Sequence, residues 1–402
     1  MKNPQSKYNL GRRQFLVTAA AATTFNLFDH ATVFGAEANG QLELGLIGCG
    51  GRGSWIADLF AQTGKYRFIA CADYFQDRVD TMGSKHGIEP GRRYTGLSGH
   101  KRLLGGKLDA VVIETPPYFH PHHAAAAIAA GKHVFLAKPV AVDVPGCQTI
   151  AEAARRATAG KLVFLVDFQT RANPLFREAL KRIRQGDLGP VVMVEAHYPW
   201  SSGGRGLPPA KPEDRLRSWY FDRTLSGDFI VEQAIHALDV ATWVIDADPS
   251  RAFGMGGQKL RPKGSIWDHF AVNYEFANGL PLSFTCIQTI PEMRDEITCR
   301  AYGGDGYFYG DYFGSVWIRG NQPFPGGSTG NLYTEGAVAN ILEFHRCITE
   351  GRFENPTAVP SVRSTLTAVL GREAGYHGGE VTFADLLKAG TKLEPDLTGV
   401  RD

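Results

Sequence analysis

Between positions 42 and 166 short apolar runs alternate with longer amphipathic stretches. Leu42–Ile47, Arg67–Ala72, Ala110–Ile113, His133–Leu136 and Leu162–Val166 read as strands. The stretches Ser54–Gln62, Asp77–His86, His122–Ala130 and Val144–Thr158 read as helices between them. Short continuous apolar strands separated by helices predict a parallel sheet covered on both faces. Beyond Asp167 the pattern changes. After a helix near Leu175–Gln185, strand-like runs dominate at Val191–His197, Phe270–Phe276, Leu282–Gln288 and Thr298–Tyr302. Turns and glycine-rich loops join them, which predicts an antiparallel sheet. One amphipathic helix is expected over Phe229–Val244, and two more at Gly336–Thr349 and Val362–Gly375. Gly326–Gly330 reads as a flexible loop.

With 402 residues the chain exceeds the usual size of one hydrophobic core, so two domains are expected. The boundaries read as a leader over 1–38, a dinucleotide-binding domain over 39–166 and a second domain over 167–402. Charge is nearly balanced, with 43 basic and 41 acidic residues, so no strong field steers the chain to nucleic acid or anionic lipid. The six cysteines show no C-x-x-C pair and read as reduced, mostly buried thiols. The N-terminus carries Arg12-Arg13, a weakly apolar run from Phe15 to about Phe28, and Ala36-Glu37-Ala38. Together these resemble a twin-arginine export signal and predict a periplasmic protein. The run is too short, and too interrupted by Thr and Asn, to span a bilayer.

Gly48-Cys49-Gly50-Gly51-Arg52-Gly53 follows a strand and opens a helix, the context that gives G-x-G-x-x-G its meaning. Gly48 permits the tight turn, Gly50 lets a pyrophosphate approach and Gly53 lets helix and strand pack closely. Asp73 ends the second strand, where an acid binds the adenosine ribose. That favours NAD, with NADP possible if Arg52 grips a 2′-phosphate or stacks on adenine. Asp73 could instead serve as a helix N-cap.

Glu114-Thr115-Pro116, His120 and Ala137-Lys138-Pro139, with Gly227–Asp239 later, resemble the Gfo/Idh/MocA family of oxidoreductases. The resemblance implies an N-terminal Rossmann domain and a C-terminal α/β domain with a large open antiparallel sheet. It places Thr115, Pro116 and His120 near the nicotinamide, and Lys138 between cofactor and substrate. The family's Glu-Lys-Pro motif has lost its acid here, because Ala137 stands in its place. A lysine at a strand C-terminus can stabilise negative charge on a reacting oxygen. On the predicted helix, Glu232 and His236 are four residues apart and share a face. Neutral His236 can then take a hydroxyl proton, with Glu232 orienting it and Asp239 in support.

Arg171, Tyr198 and Trp219 are further substrate candidates for a sugar ring, each also readable as packing. His120-Pro121-His122-His123 lacks a completing ligand set, so no metal is expected. The reading is an oxidoreductase acting on a hydroxyl of a sugar, sugar derivative or polyol, with tightly held cofactor recycled in each turnover. A redox-neutral NAD-dependent glycosidase of the same superfamily is the alternative, and an inactive sugar sensor a third. The resemblance also implies a homo-oligomer, a dimer or tetramer paired through the open sheet.

Overall fold

The computed structural model describes residues 40–203, 211, 213–261 and 263–402. The export-signal segment lies outside the described residues. Among the described residues no helix is long and apolar enough to cross a membrane.

The first sheet has six strands: β1 (Leu42–Ile47), β2 (Tyr66–Asp73), β3 (Arg93–Thr95), β4 (Ala110–Ile113), β5 (His133–Ala137) and β6 (Phe164–Asp167). Their order is β3-β2-β1-β4-β5-β6 and every pair is parallel. All four residues of β4 are buried, as a strand covered on both faces requires. Strand order reverses between β1 and β4, and ligands of open α/β sheets bind outside the strand C-termini at such a point. The helices that cover the sheet include Gly51–Gln62, Gln76–His86, His120–Ala129 and Val144–Ala159. The last begins at Asp143, whose side chain accepts from the Gly146 amide, with Pro145 in its first turn.

The second sheet comprises β7 (Val191–Trp200), β8 (Pro249–Gly257), β9 (His269–Phe276), β10 (Pro281–Gln288), β11 (Thr298–Gly303), β12 (Gly306–Asp311), β13 (Ser315–Gly320), β14 (Phe324–Ser328) and β15 (Glu380–Thr382). The order is β14-β13-β12-β11-β7-β10-β9-β8-β15, antiparallel except for the central β7–β10 pair. One face packs on the helices Ile235–Ile245 and Ala358–His377. The opposite face presents Phe253 and Met255 on β8 and Tyr307 on β12, all exposed.

Two expectations change. Residues 324–328 form edge strand β14 rather than a flexible loop. The helix expected over 229–244 is broken into Phe229–Glu232 and Ile235–Ile245. The helix Leu332–Glu350 crosses back to the first sheet, where Phe344 meets Phe135 edge-on and the Ile341 carbonyl accepts from the Tyr66 hydroxyl.

Candidate active site

The glycine turn is built as a cradle. Gly48 has φ +98°, and a side chain there would meet the Glu114 and Thr115 backbone at 2.6–2.8 Å. A Cβ on Gly53 would lie 1.9 Å from the Gly48 carbonyl oxygen, so glycine lets the helix start against the strand. Gly51, by contrast, faces open space. Beyond these residues opens a cleft lined also by Asp73, Thr115, Pro116 and Trp219. An open cleft at the amino end of a helix fits an anionic pyrophosphate.

Asp73 ends β2 on the rim of this cleft. Its carboxylate accepts from the Cys49 amide at 2.8 Å and from the Phe75 amide at 3.0 Å, tying the glycine turn to the following loop. Burial pushes its pKa up despite these donors. The helix after it starts from Phe75, with no side-chain cap. Its remaining lone pairs are free to accept from a ribose diol. His120 sits fully inside, with its ring nitrogens 2.7 Å from the Pro139 and Thr115 carbonyls. Burial lowers its pKa to about 4 although both carbonyls favour the charged form, and the neutral ring, with a single N–H, donates to one of the two carbonyls that flank the cleft.

Arg52 lines the same cleft. Its guanidinium lies 2.7 Å from Asp167 and 3.3 Å from Glu114 and donates to the Tyr333 hydroxyl at 3.0 Å. Two carboxylates at the ends of β4 and β6 hold the guanidinium within this cleft wall. Trp219 packs beside Phe75 and Leu216 and lines the cofactor cleft, whereas a sugar-side position was expected. Residues 393–402 support the same wall. Leu397 and Val400 pack there, and the Arg401 amide donates to the Tyr74 hydroxyl at 3.1 Å.

The reacting end is assembled from both sheets. Lys138 follows β5, and its ammonium donates to the Glu232 backbone carbonyl and to the Glu232 carboxylate, 3.2 Å away. The helix break explains this contact. The His236 amide bonds to the Gln233 carbonyl rather than to Glu232, which leaves the Glu232 carbonyl for the lysine. His236 begins the next helix. Burial first, then the positive charges of Lys138 and Arg52, hold its pKa well below the ordinary histidine value. Its ring is flanked edge-on by Phe168 at 6.1 Å and Tyr312 at 5.8 Å. Its Nδ1 is buried with no partner among the described residues.

The Tyr312 hydroxyl beside it also lacks a partner, as do Gln169 Oε1 and Glu114 Oε1, whose residues meet Asp167 directly or through Arg52. Gln169 and Thr170 follow β6, and the Gln169 amide donates to Asp167 at 3.1 Å. Unsatisfied buried groups gathered in one place indicate a ligand that completes them. Tyr312, Asp167 and Glu114 were missed by sequence reasoning. Only an acid closing each of two apolar segments, Glu114 after Ala110–Ile113 and Asp167 after Leu162–Val166, signalled any of them.

Arg171 and Tyr198 take packing positions. Arg171 forms a two-pronged pair with buried Asp239, at 2.8–3.1 Å, and its guanidinium stacks over Trp243 at 5.0 Å. Ser364 donates to the same carboxylate at 2.6 Å. Tyr198 is 2% exposed and stacks on Trp200. Among the described residues no group of His, Cys, Asp and Glu side chains could hold a metal ion.

Residues 42–165 match the NAD-binding Rossmann model of the GFO/IDH/MocA oxidoreductases, and residues 176–309 match the C-terminal domain model of the same family. The chain is 26% identical over 267 residues to an inositol 2-dehydrogenase of Burkholderia cenocepacia, covering 66% of this chain and 72% of that one. Levoglucosan dehydrogenase in complex with NADH has the same fold, with a TM-score of 0.70 at 19% identity over 85% of this chain and 99% of that one. So does an aldose-aldose oxidoreductase from Caulobacter crescentus, with a TM-score of 0.66, 19% identity and the same coverage.

Proposed function

The chain belongs to the Gfo/Idh/MocA oxidoreductases, NAD-binding enzymes that act on CH–OH groups, and we propose that its substrate is a sugar, sugar derivative or polyol. The observation that carries this reading is the meeting of Lys138 from the first domain with Glu232 and His236 from the second, beside buried polar atoms that lack partners. Bound NAD supplies the acceptor for the carbon-bound hydride. Neutral His236 takes the hydroxyl proton through a ring nitrogen. Lys138 donates a hydrogen bond to the same oxygen and stabilises its growing negative charge. Glu232 fixes the lysine by accepting from it. The product is the corresponding carbonyl compound, and the balance is one proton on His236 and one hydride on the cofactor.

Retention of the cofactor between turnovers, with a second carbonyl compound resetting it, accords with the wall that Trp219 and residues 393–402 build against the cleft. Native mass spectrometry of the purified chain tests this: a dinucleotide retained at one per chain is expected, and a bare chain overturns it. Turnover of inositols and aldoses by the NAD-loaded protein tests the reaction. Aglycone release from an aryl glycoside, without net reduced cofactor, would replace this reading by the glycosidase.

Two further parts of the reading concern assembly and location. The exposed Phe253, Met255 and Tyr307 on the open sheet face favour pairing of copies. A monomer by light scattering at micromolar concentration would overturn it. Export rests on Arg12-Arg13 and the segment that follows. Replacing both arginines by lysine should hold the protein in the cytoplasm, and unchanged location would refute it.

A further inference from the structure

The ends of β4, β5 and β6 form a row in which an acid, a methyl group and an acid follow one another. Ile113 pairs with Leu136 and Ala137 pairs with Asp167, so Glu114, Ala137 and Asp167 stand side by side. The Arg52 guanidinium bridges Glu114 and Asp167, spanning the position where only the Ala137 methyl lies. Glu114 is 1% exposed at its side chain and lines the cofactor cleft, and its Oε1 has no partner among the described residues. A buried carboxylate oxygen left without a donor is costly unless a ligand supplies one.

The position of that oxygen limits what the donor can be. Glu114 abuts the glycine turn, since a Cβ on Gly53 would lie 3.5 Å from the Glu114 Cβ. The Lys138 charge also acts on Glu114. A dinucleotide with its pyrophosphate at the glycine turn and its reacting ring at Lys138 and His236 has one sugar between them, carrying vicinal hydroxyl donors. We propose that Glu114 is the acceptor for the hydroxyls of the nicotinamide-side ribose, a contact made from β4 because the adjoining position on β5, Ala137, carries no acid. This rests on the NAD reading of the cleft. Arg52 is then the strut that holds Glu114 in place, with Asp167 as its other anchor and the Asn340 amide donating to Asp167 at 2.9 Å.

Glu114 is also chemically poised. Burial raises its carboxyl pKa to about 7, while Arg52 and Lys138 pull it down and Asp167 pushes it up. Hydroxyl donors from a ribose would favour the charged form. Dinucleotide binding through Glu114 therefore strengthens as pH rises through neutrality.

The test uses the full chain stripped of nucleotide, with binding followed by calorimetry for two probes: NAD, and ADP, which lacks the second ribose. Glu114→Ala is expected to weaken NAD by about tenfold to a hundredfold, the loss of a hydrogen bond to a charged group, and to leave ADP unchanged. Glu114→Gln keeps the shape and one acceptor oxygen, so it should lose less. Adding Ala137→Glu to Glu114→Ala refills the row at nearly constant volume and should recover most of the NAD affinity. NAD affinity unchanged in Glu114→Ala overturns the proposal, as does equal weakening of NAD and ADP, the mark of a merely structural ion pair. Failure of the double variant to recover NAD binding, with wild-type thermal unfolding, overturns the exchange between strands. A wild-type chain that binds neither probe would instead overturn the cofactor reading itself.

Discussion

Asp239→Asn separates a structural from a substrate-binding role for Arg171. Asp239 is fully buried and the Arg171 side chain is 11% exposed, so the pair sits in a medium that screens little. Three hydrogen bonds at 2.8–3.1 Å join them, and Ser364 adds a fourth to the same carboxylate. Asparagine keeps the volume but removes the charge. The guanidinium is then buried without a counter-ion, and breaking a buried pair in this way costs about 3–5 kcal/mol. Urea unfolding measures that loss directly. The local geometry away from the pair is untouched, so NAD affinity and substrate KM should stay at wild-type values in the folded protein. Arg171→Leu combined with Asp239→Asn should recover much of the stability, because no charge is stranded. A variant with wild-type stability but a substrate KM raised tenfold or more would refute this account and return Arg171 to the substrate.

Three more outcomes follow from the geometry. Lys138→Met should lower kcat by about a hundredfold, as for other lost transition-state donors, while NAD still binds in calorimetry; unchanged kcat would remove the lysine from the reaction. Because the folded pKa of His236 is depressed, kcat/KM should hold its plateau below the ordinary histidine value of ~6.5 and fall only at more acid pH. The same depression means that the unfolded chain binds a proton the folded chain does not. The stability of wild type relative to His236→Gln should therefore decline as pH drops below ~6.5, by up to about 1.4 kcal/mol per pH unit. Asp73→Ser should improve the ratio of NADP to NAD affinity by about tenfold or more, since a carboxylate repels a 2′-phosphate; an unchanged ratio in a binding assay would exclude Asp73 from cofactor choice.

Five strands of the first sheet were readable because buried parallel strands are short apolar runs between clear helices, whereas the edge strand Arg93–Thr95 has no apolar run and went unread. The second sheet was read in part. Strand β8 carries Gly254, Gly256 and Gly257, and β14 carries Gly326 and Gly327, so neither shows a continuous apolar signal. Gly254 and Gly256 are needed because a Cβ would meet Gly375 at 2.8 Å and the His269 carbonyl at 2.3 Å. The pattern from Phe229 onward carries helical periodicity throughout, and nothing local marks the break after Glu232. The partner of the carbonyl freed there is a lysine 94 residues away. Lys138 was placed by the resemblance of Ala137-Lys138-Pro139, but the i, i+4 face expected to let Glu232 orient His236 is absent, because the helix breaks between them and Glu232 pairs with Lys138 instead. Arg52 could not be placed, since its direction is set by Glu114 and Asp167, whose strand ends meet only in the folded sheet. The Arg171 pairing was illegible for the same reason: Asp239 lies 68 residues on.

The central claim is that an amine and an imidazole from separate domains act on one substrate oxygen beside the cofactor. Single-turnover reduction of enzyme-bound NAD by a cyclic polyol, read from the absorbance of the reduced nicotinamide, measures this most directly in wild type and His236→Gln. The account predicts that the variant binds NAD normally but reduces it about a hundredfold more slowly or worse, and that carbon-bound deuterium slows the wild type. Equal rates in the two proteins would contradict it.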